Sequence, residues 1–476
     1  MNHLIICREY PPARGGGIGT YTHIMAHALA ACGERVHVLG QRTKGAEMVK
    51  EILLDGRLAI HRLPYDDWTV VWGQKPSRLL SSPVARKLFE SSYPPEAFSW
   101  EVNQKIQEVL LEESIDLIEA PEYEAPLYHF QLQRAQATGQ VPGPPCLVHL
   151  HSPSELIAKH NVSEGAGTPR FKSHDLEAYS VLAADGLVCP SRYVANQVTE
   201  LHQLEPTTIT VIPLPMPVRP VLERAERVWC SGGICYVGRL ERRKGVLEWI
   251  EAAVAMAEQN EQLRFDFVGD IVLDTERELG VELLRRLIPR GVRRQFHFHG
   301  HKTHAEVAGF LAEARIAVVP SRWENFPYAC LEAMASGLPV VVSPHGGMVE
   351  MVDDGVSGWV AASSEPTALA DALRRALSVS PLQLQEMGCA SAQRVRDLCD
   401  TKRVVEQQLV VRRKMVEAGA RNVTRERLEP VVESTQSISA VNNGRVLWLL
   451  VRSLLRDPFF VGRLLVKMLV NRVRGR

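Results

Sequence analysis

The chain lacks several features that would settle its class at once. No run of 18 apolar residues passes without a charge in its 476 residues, so no membrane-spanning helix is expected. Cysteine is sparse: nine residues, odd in number and never spaced C-x-x-C. That argues against a disulfide scaffold or a zinc ribbon and for free thiols in a reducing compartment. No charge dominates, with 55 Lys plus Arg against 55 Asp plus Glu. A net charge of zero gives no reason to expect nucleic acid as the main partner. The opening MNHLIICREY has neither a basic n-region nor a long apolar h-region, so no signal peptide is expected and a cytoplasmic protein is. No D-x-D triplet occurs, and a metal-bridged diphosphate is not indicated; neither cofactor nor metal is expected.

What is present is alternation. HLIIC (3–7), RVHVLG (35–40), DLIEA (116–120), PCLVHLH (145–151), GLVCPS (186–191) and TITVIP (208–213) read as strands, with helical stretches such as YTHIMAHALAACG (21–33) between them. The pattern restarts at ICYVGR (234–239) and continues through LRFDFVG, FHFHG, RIAVVPS and PVVVS. Between the two sets lies PLPMPVRP (213–220), a stiff linker with four prolines in eight residues. This predicts an α/β protein of two doubly wound domains, 1–215 and 221–400, with parallel sheets and helices on both faces. Ligands of such sheets bind beyond the carboxyl ends of the strands, so two facing domains share a cleft. An amphipathic helix follows at 401–418, then a polar linker at 420–443 and a basic amphipathic tail at 444–476.

Three motifs carry chemistry. In PPARGGGIGTYTH the glycines Gly15, Gly16, Gly17 and Gly19 precede a helix expected to start near Thr20. Its free amides make a natural anion site, and a plain tight turn is the alternative. In YVGRLERRKG the cations Arg239 and Lys244 leave a strand and suit a diphosphate; with Arg242 and Arg243 beside them, a solvated basic turn is equally compatible. In ENFPYACLE two carboxylates, Glu324 and Glu332, flank a helix start at Pro327, and Gly337 suits its end. Spaced one to two turns apart, they can each grip a diol, as a sugar nucleotide presents on hexose and ribose. A helix cap and a solvated face are the simpler readings.

Together these residues resemble glycosyltransferase family 4, the retaining GT-B transferases, over about residues 1–418. The glycine loop, the Arg239 and Lys244 pair and E-x7-E at Glu324 and Glu332 match in order, as do the flanks PSRWENFPYACLEAMASGLPVVVS and ADGLVCPSRYVANQV. ENFPY departs from the family's Glu-Gly-Phe-Gly-like run, and Pro327 cannot donate an amide. The resemblance implies a GT-B fold with a central cleft and an acceptor-side first domain. It implies that the 401–418 helix returns to that domain. The Gly16–Gly19 amides, Arg239 and Lys244 would hold the donor diphosphate, and Glu332 the ribose. Glu324 and the amides near Asn325 and Phe326 would hold the hexose. His151 would lie beneath the reacting carbon, with His149 as rival on the same strand face.

The implied reaction is transfer of a hexose from a nucleoside-diphosphate sugar to an acceptor hydroxyl, retaining and metal-independent. No carboxylate is an obvious nucleophile, so front-face departure assisted by the leaving phosphate is favoured. The acceptor would be a carbohydrate or lipid-linked, with PEYEAPLY (121–128) and Ser152–Gly167 as its walls. In the tail, Arg445, Arg452, Arg456, Arg463, Lys467 and Arg474 fall within about 60° of a helical wheel. That suits peripheral docking on the anionic inner face of a membrane. Two other classes are open at this level, a nucleotide-dependent oxidoreductase and a non-catalytic protein of the same fold. The first wants an acidic residue after the second strand, where GQRTK has none. The second has no need of the cations and glutamates retained here.

Overall fold

The computed structural model describes residues 1–13, 15–43, 48–63, 82–90, 93–136, 143–161, 171–270 and 281–421. Arg14, the part of the 152–167 wall beyond Asn161, the linker beyond Arg421 and the whole basic tail lie outside these residues.

Two sheets organise residues 1–421. The first contains β1 (Asn2–Ile6), β2 (Arg35–Gln41), β3 (Lys50–Leu53), β4 (Leu58–Leu63), β5 (Leu117–Pro121), β6 (Cys146–His149), β7 (Gly186–Cys189) and β8 (Ile209–Val211). Their spatial order is β3-β4-β2-β1-β5-β6-β7-β8. All pairs are parallel except β3 with β4. The second contains β9 (Gly233–Val237), β10 (Phe265–Val268), β11 (Phe296–Gly300), β12 (Ala314–Val319), β13 (Val340–Val342) and β14 (Gly358–Val360). Its order is β11-β10-β9-β12-β13-β14, parallel throughout. In both sheets the chain winds one way from its first strand and then the other. The switch points fall between β1 and β5, and between β9 and β12.

The inner strands are short apolar runs buried on both faces, as doubly covered parallel sheets require, while the edge strands β3, β8 and β11 are partly exposed. The helix Gly17–Ala31 lays Tyr21, Met25 and Leu29 onto the first sheet at four-residue spacing. The β3–β4 hairpin departs from the expected all-parallel pattern. Leu54, Asp55 and Gly56 all take positive φ in its turn, and Asp55-Gly56 is its local signal.

The chain breaks at Asp400, whose side chain accepts the Arg403 amide at 2.9 Å and starts a new helix, Thr401–Ala418. That helix packs on the Gly17–Ala31 helix and on β5 of the first domain. Met415 lies where any side chain on Gly186 would be: a Cβ there would stand 2.5 Å from the Met415 sulfur. No helix among the described residues is long and apolar enough to cross a membrane.

Candidate functional site

At the second switch point, β9 and β12 deliver their exits side by side. Gly245 (φ 66°) lets them touch: a Cβ there would meet the Pro320 carbonyl oxygen at 2.0 Å. Arg242–Lys244 form one 3-10 turn. Lys244 Nζ pairs with the Glu324 carboxylate, and Arg243 Nη1 reaches the same carboxylate at 3.1 Å. Arg243 also donates to the Trp323 carbonyl at 3.1 Å and to Glu241 at 2.8 Å. The basic turn is therefore not solvated at Arg243, which is 4% exposed. Burial alone would raise the Glu324 carboxyl, but Lys244 and Arg243 hold it below its ordinary value. Burial lowers Lys244, against the pull of Glu324. Arg239 is largely exposed and turned to Glu241 at 3.3 Å.

The helix of the ENFPY motif runs Tyr328–Ala335, with Pro327 as its N-cap rather than inside its first turn. The Phe326 ring is buried in the core, which leaves its amide as the group that can serve a ligand. Glu332, one turn into the helix, pairs with His304 Nδ1 at 3.2 Å. The hydrogen bond and the charge of Glu332 raise the His304 pKa. This pair borders a cavity of about 150 Å³, whose other walls include Arg219, Pro220, Leu222 and Val307.

At the first switch point, the glycine run straddles a helix start. Gly17 and Gly19 are already helical and Gly16 is the N-cap, so the helix begins three residues earlier than the sequence indicates. The anion site exists and a carboxylate fills it: Glu9 accepts the amides of Gly16 at 3.1 Å and Gly19 at 3.0 Å. Glycine is required there, since a Cβ on Gly15 would stand 2.5 Å from that of Glu9, and one on Gly19 2.5 Å from the Glu9 carbonyl. Gly17 faces the second domain, 3.5 Å from the Tyr328 ring by the same measure.

β6 ends beside this loop. The Glu122 carboxylate, fully buried, accepts the amides of His151 (2.7 Å) and Ser152. Glu177 accepts those of Glu124 (2.9 Å) and Ser154 (2.8 Å). Two buried carboxylates thus bind the β5 and β6 exits into one piece, and burial pushes them up to about 7 and about 8. Glu124 (φ 65°) and Ala125 (φ 48°) are left-handed without being glycine. The Arg8 guanidinium holds the first of them, its Nε 2.6 Å and Nη2 3.1 Å from the two carboxylate oxygens. The His151 ring stacks on His149 at 4.2 Å. Burial and then His149 keep its pKa well below the ordinary value.

The two domains meet through Asn325. Its Nδ2 donates to the carbonyls of Leu150 (3.0 Å) and His151 (2.9 Å), and its Oδ1 accepts from Ser191 Oγ (2.7 Å). Glu350 accepts the Arg192 and Tyr193 amides at 3.0 and 2.8 Å, so a residue of the second domain caps a helix of the first. The structure therefore brings Lys244, Glu324, Asn325 and His151 together. It sets Glu332 beside a separate cavity and Gly16 and Gly19 against Glu9. Arg243, Glu9, Glu122 and Glu177 were missed as site residues. For Glu122 a signal exists, a glutamate directly after an apolar strand at the switch point; Glu177 sits mid-helix with none.

Residues 16–215 match the family described as glycosyl transferase 4-like domain, and residues 232–390 match glycosyl transferases group 1. A glycogen synthase of Mycobacterium tuberculosis is 27% identical over 412 residues, spanning 83% of this chain and 90% of that protein. A D-inositol 3-phosphate glycosyltransferase of Streptomyces griseus is 25% identical over 272 residues, 52% of this chain and 57% of its own. Among solved structures, sucrose-phosphate synthase from Thermosynechococcus elongatus superposes with a TM-score of 0.66 at 22% identity, covering 88% of this chain and 100% of that one. Anabaena Alr3699/HepE in complex with UDP and glucose gives 0.59 at 16% identity, over 87% and 100%. With both halves matched in order on two facing Rossmann-like sheets, the chain belongs to the group 1, family 4-like glycosyltransferases of GT-B fold.

Proposed function

We propose that the chain transfers a hexose from a nucleoside-diphosphate sugar to a hydroxyl of a carbohydrate or lipid-linked acceptor, with retention and without a metal ion. One observation carries this reading: Lys244, Arg243 and Glu324 converge at the second switch point, and Asn325 ties that point to the His151 carbonyl.

Lys244 and the exposed Arg239 take the diphosphate, Lys244 exchanging its internal carboxylate for phosphate oxygens. The Gly16 and Gly19 amides, which accommodate the Glu9 carboxylate, have the polarity a phosphate needs. Glu332 takes the ribose diol, and the cavity beside His304 takes the base. Glu324, released from Lys244, accepts hydroxyls of the hexose with the amides at Asn325 and Phe326. His151 lies under the anomeric carbon. A neutral imidazole and a main-chain carbonyl offer partial negative charge to a carbon that turns positive as the leaving group departs. Lys244, Arg239 and the first amides of the Tyr328 helix stabilise the departing diphosphate in place of a metal ion. Front-face attack follows, the leaving phosphate taking the acceptor proton. The relatives support the donor class, since Alr3699/HepE was solved with UDP and glucose.

Release of nucleoside diphosphate from ADP-, GDP- and UDP-glucose tests the reading. Slow hydrolysis of one donor, lost in Lys244→Ala and His151→Ala, is expected. Thermal stabilisation by NAD but by no nucleoside diphosphate would contradict it.

A further inference from the structure

The returning helix Thr401–Ala418 buries a charge where packing alone would want an apolar residue. Its inward face carries Val404, Val405, Leu409 and Met415, and among them Arg412 is 0% exposed. A buried ion pair is seldom more stabilising than apolar residues of similar volume, so stability does not account for it. The Arg412 guanidinium pairs with Glu119 of β5 and lies 3.4 Å from His3 Nδ1 of β1. The other Glu119 oxygen accepts the Tyr21 hydroxyl at 2.8 Å. The Tyr21 ring lies against both histidines of the β6 exit, 4.3 Å from His149 and edge-on to His151 at 4.8 Å. Neither nitrogen of His149 has a hydrogen-bond partner among the described residues, and its ring packs between those of Tyr21 and His151.

We infer that Arg412 is a positioning residue for sugar transfer, acting through Glu119 and Tyr21 to fix the His149–His151 stack beneath the reacting carbon. The chain of contacts is continuous. Arg412 orients the Glu119 carboxylate, the carboxylate fixes the Tyr21 hydroxyl, and the ring sets the plane on which the imidazoles rest. Misplacement of a reacting group by an ångström or less costs rate without costing affinity. The returning helix thereby becomes part of the machinery for turnover. This inference rests on the proposed role of His151.

The test uses the full chain and whichever of ADP-, GDP- or UDP-glucose it turns over. Tyr21→Phe removes only the hydroxyl. The double variant Glu119→Gln/Arg412→Met removes both buried charges together, so neither is left unpaired. Both are expected to lower kcat by about tenfold, with Kd for the matching nucleoside diphosphate and acceptor KM within about twofold of wild type. A kcat within about twofold of wild type in Tyr21→Phe, whatever its melting temperature, would overturn the inference. So would parallel losses of kcat and nucleotide affinity, which place the network in domain arrangement. Tyr21→Phe decides alone if the double variant does not fold. His151→Ala separates the two layers. Loss of kcat there with none in Tyr21→Phe overturns the positioning role only; full activity in His151→Ala overturns the role of His151 as well.

Discussion

The Nδ2 of Asn325 lies 2.9 Å from the carbonyl oxygen of His151, across 174 residues of sequence. One side-chain amide thereby joins the carboxyl end of β6 in the first domain to the loop after β12 in the second. Both donor hydrogens and the acceptor oxygen are used, in a position only 3% exposed. Asn325→Asp keeps the shape and removes the donors, placing a carboxylate against two carbonyls. A loss of roughly 2–3 kcal/mol in stability to urea is expected, with lower kcat. An unchanged unfolding midpoint would take the contact out of the account.

In the proposed donor site, Lys244→Ala and Glu332→Ala would remove charge-assisted contacts to two different parts of the donor. Each is expected to weaken nucleoside diphosphate binding by ten- to hundredfold, about 1.5–3 kcal/mol, measured by titration calorimetry. Lys244→Ala also leaves the buried Glu324 carboxylate to Arg243 and should cost stability, whereas Glu332 pairs with the exposed His304 and its loss should not. Equal affinity in wild type and both variants would remove the pair from the donor site.

Glu122 and Glu177 make stability fall as pH rises. Both folded pKa values lie above the ordinary 4.5, at about 7 and about 8, because burial disfavours their charged forms. Between 4.5 and 8 the folded chain thus binds more protons than the unfolded one. That gives a negative slope of stability against pH, at most about 1.4 kcal/mol per unit for each group. Buried histidines such as His149 and His151, whose pKa values burial lowers, contribute the opposite slope, so the test is a difference: the thermal midpoint of wild type relative to Glu177→Gln should fall between pH 5 and 8, and a difference that rises across that window would refute the assignment.

The order of elements was legible because parallel strands are short apolar runs and helices carry a longer period. The β3–β4 hairpin was missed although Asp55-Gly56 marks its turn, since KEIL is an exposed edge strand with little apolar alternation. Glu324, Lys244, Asn325 and His151 could be picked out by their places after strands, and they do converge. What they touch could not be read. Arg243 looks like its neighbour Arg242 in the sequence, and only the 3-10 turn drives it inward to Glu324. Glu9 is seven residues from Gly16, a separation that says nothing until the loop folds back. Arg412 and Glu119 are 293 residues apart, and their pairing depends on the Thr401–Ala418 helix returning to the first domain.

The basic residues at 445–474 support a prediction from sequence spacing alone. Each cation near an anionic surface adds about 1 kcal/mol, so the stripe should carry the full chain onto anionic vesicles in co-sedimentation. Equal binding to neutral vesicles, or by a chain ending at Asn443, would refute membrane docking.

We propose metal-free transfer with retention at the Lys244, Glu324 and His151 site. It is tested most directly by proton NMR of the product formed from an α-linked sugar nucleotide in excess EDTA. The expected product has an anomeric coupling that shows an α linkage and forms at an undiminished rate. A β-linked product, or turnover that stops in EDTA and returns with Mg²⁺ or Mn²⁺, would contradict it.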